Sequence, residues 1–239
     1  MAPPTAVILA GGLGTRVKHL LDGRPKSLAI VLGKPFLAWL IAYLVRQGIT
    51  DVIVSAGYRA DMLTEFCAGQ SAPNVRLRCI AETEPQGTAG GFLEATAREP
   101  GETWLVCNGD TFVGADLKVF IKELDDHTID GALIGLHSDD PGRYGNLSCD
   151  EQSNLLSFHE KTAGGGLVSA GVYLLRRTLL GLFPQKRPLS FEIDVFPALL
   201  RAGKKIRVHK VQAPFIDIGT EQTLHAAESF LAANQHYCT

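Results

Sequence analysis

Ala6-Val-Ile-Leu-Ala-Gly-Gly-Leu-Gly-Thr-Arg16 is an apolar run that passes directly into a glycine loop. Val7, Ile8 and Leu9 are apolar at successive positions, as in a strand covered by helices on both faces of its sheet. The pattern continues outward from there. Residues 36–46 are apolar at helical spacing and stop before Gly48, a C-cap candidate. A second strand is expected at 51–55, a helix at 60–67, a third strand at 75–81 and a helix rich in small residues at 88–98. The fourth strand, 104–107, runs into Asn108-Gly109-Asp110. This rhythm predicts βαβ units, hence an α/β fold with a mixed, mostly parallel sheet flanked by helices. The second half is less regular, with strands expected at 132–137, 155–159, 168–175 and 206–211 and helices at 193–202 and 221–233. No repeat or Pro/Ser-rich linker interrupts the chain, so a single domain is expected over 1–239, with a lobe over the site at about 141–171.

The 239 residues are 46% hydrophobic and 20% charged, with a formal net charge of −2. That balance supplies no field to hold nucleic acid, and no Lys/Arg run would bind a membrane surface. The apolar run 6–10 is too short for a signal peptide or a membrane span. Cys67, Cys79, Cys107, Cys149 and Cys238 are scattered without a Cys-x-x-Cys pair, which argues against a disulfide framework or zinc site. Cys79 and Cys107 read as buried small hydrophobes. The expectation is a cytoplasmic protein acting on small molecules, without nucleic-acid or membrane partners; homo-oligomerisation is left open.

Ligands of open α/β sheets sit beyond the carboxyl ends of the strands. A glycine loop there lets backbone N–H groups approach phosphate, because no Cβ obstructs them. Arg16 and Lys26, the latter in Arg24-Pro25-Lys26, add two cations. Gly-Lys-Ser/Thr is missing, so this is not a Walker loop. Val17 stands where the dinucleotide fingerprint needs its third glycine. Alone, the loop also fits a plain glycine turn with solvated charges.

The loop, Arg24-Pro25-Lys26 and Gly33-Lys34-Pro35-Phe36-Leu37 together resemble the signature of the sugar nucleotidyltransferases, and later motifs follow in that family's order along nearly the whole chain. The resemblance implies a Rossmann-like, GT-A-like fold and an enzyme that joins a nucleotide to a sugar 1-phosphate and releases pyrophosphate. It implies nucleotide contacts at Leu9, Ala10, Gly11, Gly12, Gly14 and Thr15. Arg16 would contact the leaving pyrophosphate, and Lys26 would neutralise the reacting phosphates.

Asp110 and Asp217 each follow an apolar strand, 107 positions apart, and can meet only through the fold. A triphosphate needs Mg²⁺, which takes one or two carboxylates plus phosphate oxygens. The family resemblance makes these two its ligands. Either alone also fits a turn former or a helix N-cap.

Glu82-Thr83-Glu84-Pro85-Gln86-Gly87-Thr88 follows the third strand, expected beside the first, and resembles the family's base-reading segment, with Glu82 facing the base and Gly87 and Thr88 close to it. A carboxylate only accepts hydrogen bonds. Guanine offers two adjacent donors, N1–H and N2–H₂; uracil and thymine offer one donor between acceptors; cytosine and adenine set an acceptor beside their amino group. An unpaired buried polar group costs about 1–3 kcal/mol, enough to discriminate. The expected nucleotide is GTP. The competing reading makes Glu82 a solvated loop residue and gives the base to Glu84 or to backbone groups.

On the sugar side, resemblance implies that Tyr144, Gly145, Glu160 and Lys161 line a sugar phosphate pocket, with Lys161 catalytic as a point charge alongside Arg16 and Lys26. Alone, Glu160-Lys161 fits an exposed charge pair. The resemblance implies that Asn108 and Gly171 belong to the same pocket. Ser169 stands where the family usually has Asn; a shorter side chain leaves room for a larger sugar. With the Asn108-Gly109-Asp110-Thr111 string and the absence of hexapeptide repeats, the branch most resembled is the D-glycero-D-manno-heptose 1-phosphate guanylyltransferases. Mannose-1-phosphate guanylyltransferases, uridylyl- and cytidylyltransferases, and a silent nucleotide-sugar sensor remain alternatives. A glycosyltransferase is disfavoured because no Asp-x-Asp motif is present. No histidine shows an Asp/Ser partnering pattern, which suits a reaction whose phosphate nucleophile needs no general base.

Overall fold

The computed structural model describes residues 3–70, 75–138, 145–159 and 166–239. In chain order they form β1 (Thr5–Leu9), a hairpin of β2 (Ile30–Val31) and β3 (Lys34–Pro35), α1 (Phe36–Arg46), β4 (Asp51–Ala56), α2 (Ala60–Gly69), β5 (Arg76–Ala81) and α3 (Thr88–Thr96). Then come β6 (Thr103–Asn108), β7 (Thr111–Val113), α4 (Leu117–Ile121), β8 (Gly131–Ser138), β9 (Asn146–Cys149), β10 (Leu155–His159) and β11 (Gly166–Arg176). The chain closes with α5 (Phe196–Arg201), β12 (Ile206–Val211), β13 (Phe215–Asp217) and α6 (Glu221–Ala233).

One nine-stranded sheet carries the order β10-β9-β11-β6-β1-β4-β5, with β8 on β11 and β12 on β8. The mixed, mostly parallel α/β sheet expected from the sequence is therefore present. β1 pairs in parallel with β4 and with β6, and β4 with β5. The first four long strands thus run third-second-first-fourth across the sheet. Their order reverses between β1 and β6, and such a switch point opens a crevice at the strand ends. One expectation is corrected: β5 lies beside β4, and β4 separates it from β1. Successive crossovers in one direction place each new strand outside the last.

The period-2 alternation of strands sorts their side chains to two cores. Ala6, Ile8, Val52, Val54, Leu105 and Cys107 pack with α1, α2 and α6 on one face. Val7, Ile53, Trp104, Val106 and Tyr173 pack with α3 and α5 on the other. Cys107 is buried as expected. Cys79 is only half-buried, on the edge strand; a hydrogen bond with Cys67 lowers its thiol to about 7.

The helix expected at 193–202 is divided. Phe191–Val195 forms a π-helical turn capped by Ser190, and the α-helix begins only at Phe196. Pro197 has no N–H to donate and fits the first helical turn, where that donor is unpaired anyway.

Candidate active site

The glycine loop leaves β1 at the switch point. No long helix follows it: the next helical piece is a three-residue turn, Lys18–Leu20. A helix dipole therefore does not supply the anion-binding field, and side-chain cations must. Gly12 has nothing within 4 Å of where a Cβ would point, so its backbone faces open space. Gly14 (φ +59) packs against Lys26, 3.2 Å from its Cβ to a Cβ built at Gly14.

A cavity of about 440 Å³ opens beside this loop, walled by Leu9, Ala10, Gly11, Gly12, Lys26, Glu82, Gly87, Thr88, Asn108 and Asp110. Gly14 and Thr15 lie off its wall. Glu82 reaches the cavity from the far side of β4. Its N–H donates to Ala56 O at 2.7 Å, continuing the sheet, and its carboxylate turns inward. A Cβ at Gly11 would overlap Glu82 Oε1, and one at Gly91 would come within 2.5 Å of it. Two glycines make the space for one carboxylate. Burial raises the Glu82 carboxyl above the ordinary range, against the Gln86 N–H that it accepts at 3.2 Å. Glu84, the competing candidate, is exposed.

Thr88 opens α3 and accepts from Phe191 N at 3.1 Å. Gly87 (φ +77) lies against the backbone of Leu189, where a Cβ would be 2.6 Å from Leu189 O. Pro188 completes this wall.

A second cavity, about 260 Å³, is lined by Arg16, Asn108, Asp110, Gly145, Ser169, Gly171, Glu192 and Asp217 among others. The two cavities share Asn108 and Asp110. The fold brings the two aspartates to the wall of this one cavity. β13 pairs with β7 so that Asp217 faces Thr111, and Ile218 N donates to Asp110 O at 2.9 Å. Asp217 Oδ1 accepts Gly219 N at 2.8 Å. Asp110 forms an ion pair with Lys26 and accepts from Thr111 Oγ1 at 3.0 Å. Two hard carboxylates on one cavity fit a divalent metal that fills its other positions from phosphate and water. No cluster of three or more His, Cys, Asp or Glu suited to a metal occurs among the described residues.

Gly171 (φ +68) sits at an irregularity of β11, and a Cβ there would overlap the Asn108 amide. Ser169 is buried and accepts Gly171 N at 3.2 Å, so its hydroxyl is turned into the cavity wall. Tyr144, Glu160 and Lys161 of the predicted sugar phosphate set lie outside the described residues.

Glu192 was not singled out from the sequence. It stands on the π turn, accepts Tyr173 O–H at 3.1 Å and faces Gly145. Burial, and then Asp110 nearby, raises its carboxyl above the ordinary range. Its one available signal was an acid flanked by Phe191 and Ile193, with a second acid, Asp194, two positions on. A histidine–carboxylate pair also exists, His209 with Glu123 at 2.6 Å, but it packs on Phe120 and lines neither cavity.

The chain is similar to known proteins along most of its length. A D-glycero-alpha-D-manno-heptose 1-phosphate guanylyltransferase from Campylobacter jejuni is 36% identical over 220 residues, covering 91% of this chain and 95% of that one. The crystal structure of HddC from Yersinia pseudotuberculosis complexed with GMP-PN matches with a TM-score of 0.83 and 33% identity, over 95% of this chain and 99% of that one. A mannose-1-phosphate guanylyltransferase from Mycobacterium tuberculosis is 32% identical over 91% of this chain, which spans 61% of that relative's length. The nucleotidyl transferase family model matches residues 5–234, from the strand before the glycine loop into the end of α6. Since that match takes in the loop, the switch point and both strand-end aspartates, the chain belongs to the nucleotidyl transferase family.

Proposed function

We propose that this protein transfers GMP from GTP to a sugar 1-phosphate, D-glycero-α-D-manno-heptose 1-phosphate in preference to α-mannose 1-phosphate, and releases pyrophosphate. The observation that carries the reading is the pair of cavities meeting at Asn108 and Asp110, one beside a glycine loop and the other beside two carboxylates. A nucleotide in the first and a sugar phosphate in the second would bring their phosphates together there. The likeness to guanylyltransferases for both sugars supports the same reaction.

In this reading a sugar phosphate oxygen attacks the α-phosphorus of GTP, and the bond to the β-phosphate oxygen breaks. A phosphate monoester, with a second pKa of ~6, is mostly dianionic at neutral pH and needs no general base. Glu82 accepts guanine N1–H and N2–H₂. Gly11 and Gly12 admit the triphosphate to the backbone, and Arg16, Lys26 and Lys161 balance its charge. Asp110 and Asp217 would hold Mg²⁺, which when bound supplies electrostatic stabilisation of the phosphoryl oxygens. Asn108, Gly145, Ser169 and Gly171, with Tyr144, Glu160 and Glu192, surround the sugar. The chain works as one domain, with about 141–171 as its sugar lobe, in the cytoplasm. Among the described residues no helix is long and apolar enough to cross a membrane.

The test is pyrophosphate release with Mg²⁺ across GTP, UTP, CTP and dTTP against both sugar phosphates. Turnover with GTP and the heptose is expected. Turnover with GTP and mannose alone would move the protein to the other branch. Turnover only with another nucleotide would refute the role of Glu82, and none with any pair would favour a sensor.

A further inference from the structure

We propose that Lys26 and Arg16 occupy the charge of the metal site when it is empty, so that the divalent cation binds well only together with the nucleotide. The inference rests on reading Asp110 and Asp217 as the metal carboxylates.

The Lys26 ammonium is paired with the Asp110 carboxylate, their side chains only 15% and 30% exposed. Its stem passes close to Gly14, where a Cβ would come within 3.2 Å of Lys26 Cβ. At the second carboxylate, Asp217 Oδ1 and Arg16 Nη2 lie 2.6 and 3.1 Å from the place a Cβ would take at Gly219. Each carboxylate thus has a basic side chain beside it from the loop and turn that are read as the phosphate-binding elements.

A metal ion arriving alone must break the Lys26–Asp110 pair. It would leave a partly buried ammonium without a partner beside a new divalent charge, and an uncompensated charge in such a place is strongly unfavourable. Arrival with a triphosphate changes this. The phosphates give Lys26 and Arg16 new acceptors in the same step that frees the carboxylates for the metal. Metal and nucleotide affinities are therefore coupled, and the coupling is reciprocal. Lys26 acts on the metal by competing for its ligand, a role separate from contacting phosphate.

The full chain is titrated with Mn²⁺, free ion being read by electron paramagnetic resonance, with and without guanosine imidotriphosphate. Wild type is compared with Lys26→Met and Lys26→Gln. Lys34→Met is the control for net charge, because Lys34 lies over the Trp39 ring away from the site. Without nucleotide, both Lys26 variants are expected to bind Mn²⁺ at least about ten-fold tighter than wild type, and Lys34→Met to match wild type. With nucleotide, that advantage should vanish or reverse. Equal or weaker Mn²⁺ binding by the Lys26 variants, or an equal gain in Lys34→Met, would overturn the proposal. Lys26→Arg, which keeps the cation, is expected to bind Mn²⁺ as weakly as wild type and excludes misfolding as the cause. Nucleotide turnover by wild type is scored separately, so failure of the guanylyl-transfer reading leaves the Mn²⁺ comparison decisive on its own.

Discussion

In the proposed reading, nucleotide choice turns on Glu82. Two glycines admit its carboxylate, and burial raises its pKa. Glu82→Gln replaces one acceptor by a donor, leaving a guanine N–H unpaired. The expected loss in kcat/KM for GTP is about 10- to 100-fold, corresponding to about 1–3 kcal/mol. The ratio of UTP to GTP turnover should rise; an unchanged ratio would remove Glu82 from base recognition. The raised pKa sets the sign of a pH effect. Guanine requires the ionised acceptor, and a carboxyl with raised pKa takes up its proton at higher pH than usual. KM for GTP should therefore climb as pH falls through that pKa, and Glu82→Gln should flatten the climb. The residue type was legible from the sequence, because a carboxylate accepts and never donates. Glu192 was not, because nothing local separates it from Asp194 two positions on until the turn aims one into the cavity and the other at Lys186.

Among the elements, the glycines divide by what surrounds them. Gly87 opens α3 with φ +77 and lies against Leu189 O. Gly87→Ala adds a strained backbone and a clash, about 1–3 kcal/mol, and should lower Tm by several degrees. Gly12 has neither constraint, since a Cβ there meets nothing within 4 Å. Gly12→Ala should leave Tm within about a degree, as surface changes usually fall within ±0.5 kcal/mol. It should nonetheless raise KM for GTP several-fold, because the new methyl stands where phosphate approaches the backbone. Thermal melts and nucleotide saturation curves on the pair separate structural from ligand-facing glycines. A fall in Tm for Gly12→Ala as large as for Gly87→Ala would refute the distinction. In one case a turn type depended on contacts that local periodicity could not supply: 193–202 reads as a single helix, and in the packed setting Phe191–Val195 forms a π turn and Phe196–Arg201 a short α-helix.

For the molecule as a whole, the site is an edge feature of a sheet whose two cores are independent of any metal. Removal of divalent cations by EDTA should abolish turnover while leaving Tm unchanged within about a degree. Saturating Mg²⁺ and GTP should then raise stability by mass action, about 2.7 kcal/mol at 100 times Kd. Unfolding by EDTA alone would mean that the metal is structural. The α/β class, the four long strands and three long helices up to β6, the glycine loop and both strand-end aspartates follow from the sequence alone, whereas the short strands β2, β3 and β7 do not. Those features rest on local rules: period-2 and period-3.6 patterning, glycine geometry and the charge of single side chains. The tertiary structure alone decided the strand order, the reach of Glu82 across β4, the placing of Asp110 and Asp217 on one cavity, the Lys26–Asp110 pair and the entry of Glu192 into that second cavity. These are contacts between residues far apart in the chain, and a one-dimensional pattern does not encode which distant strands become neighbours.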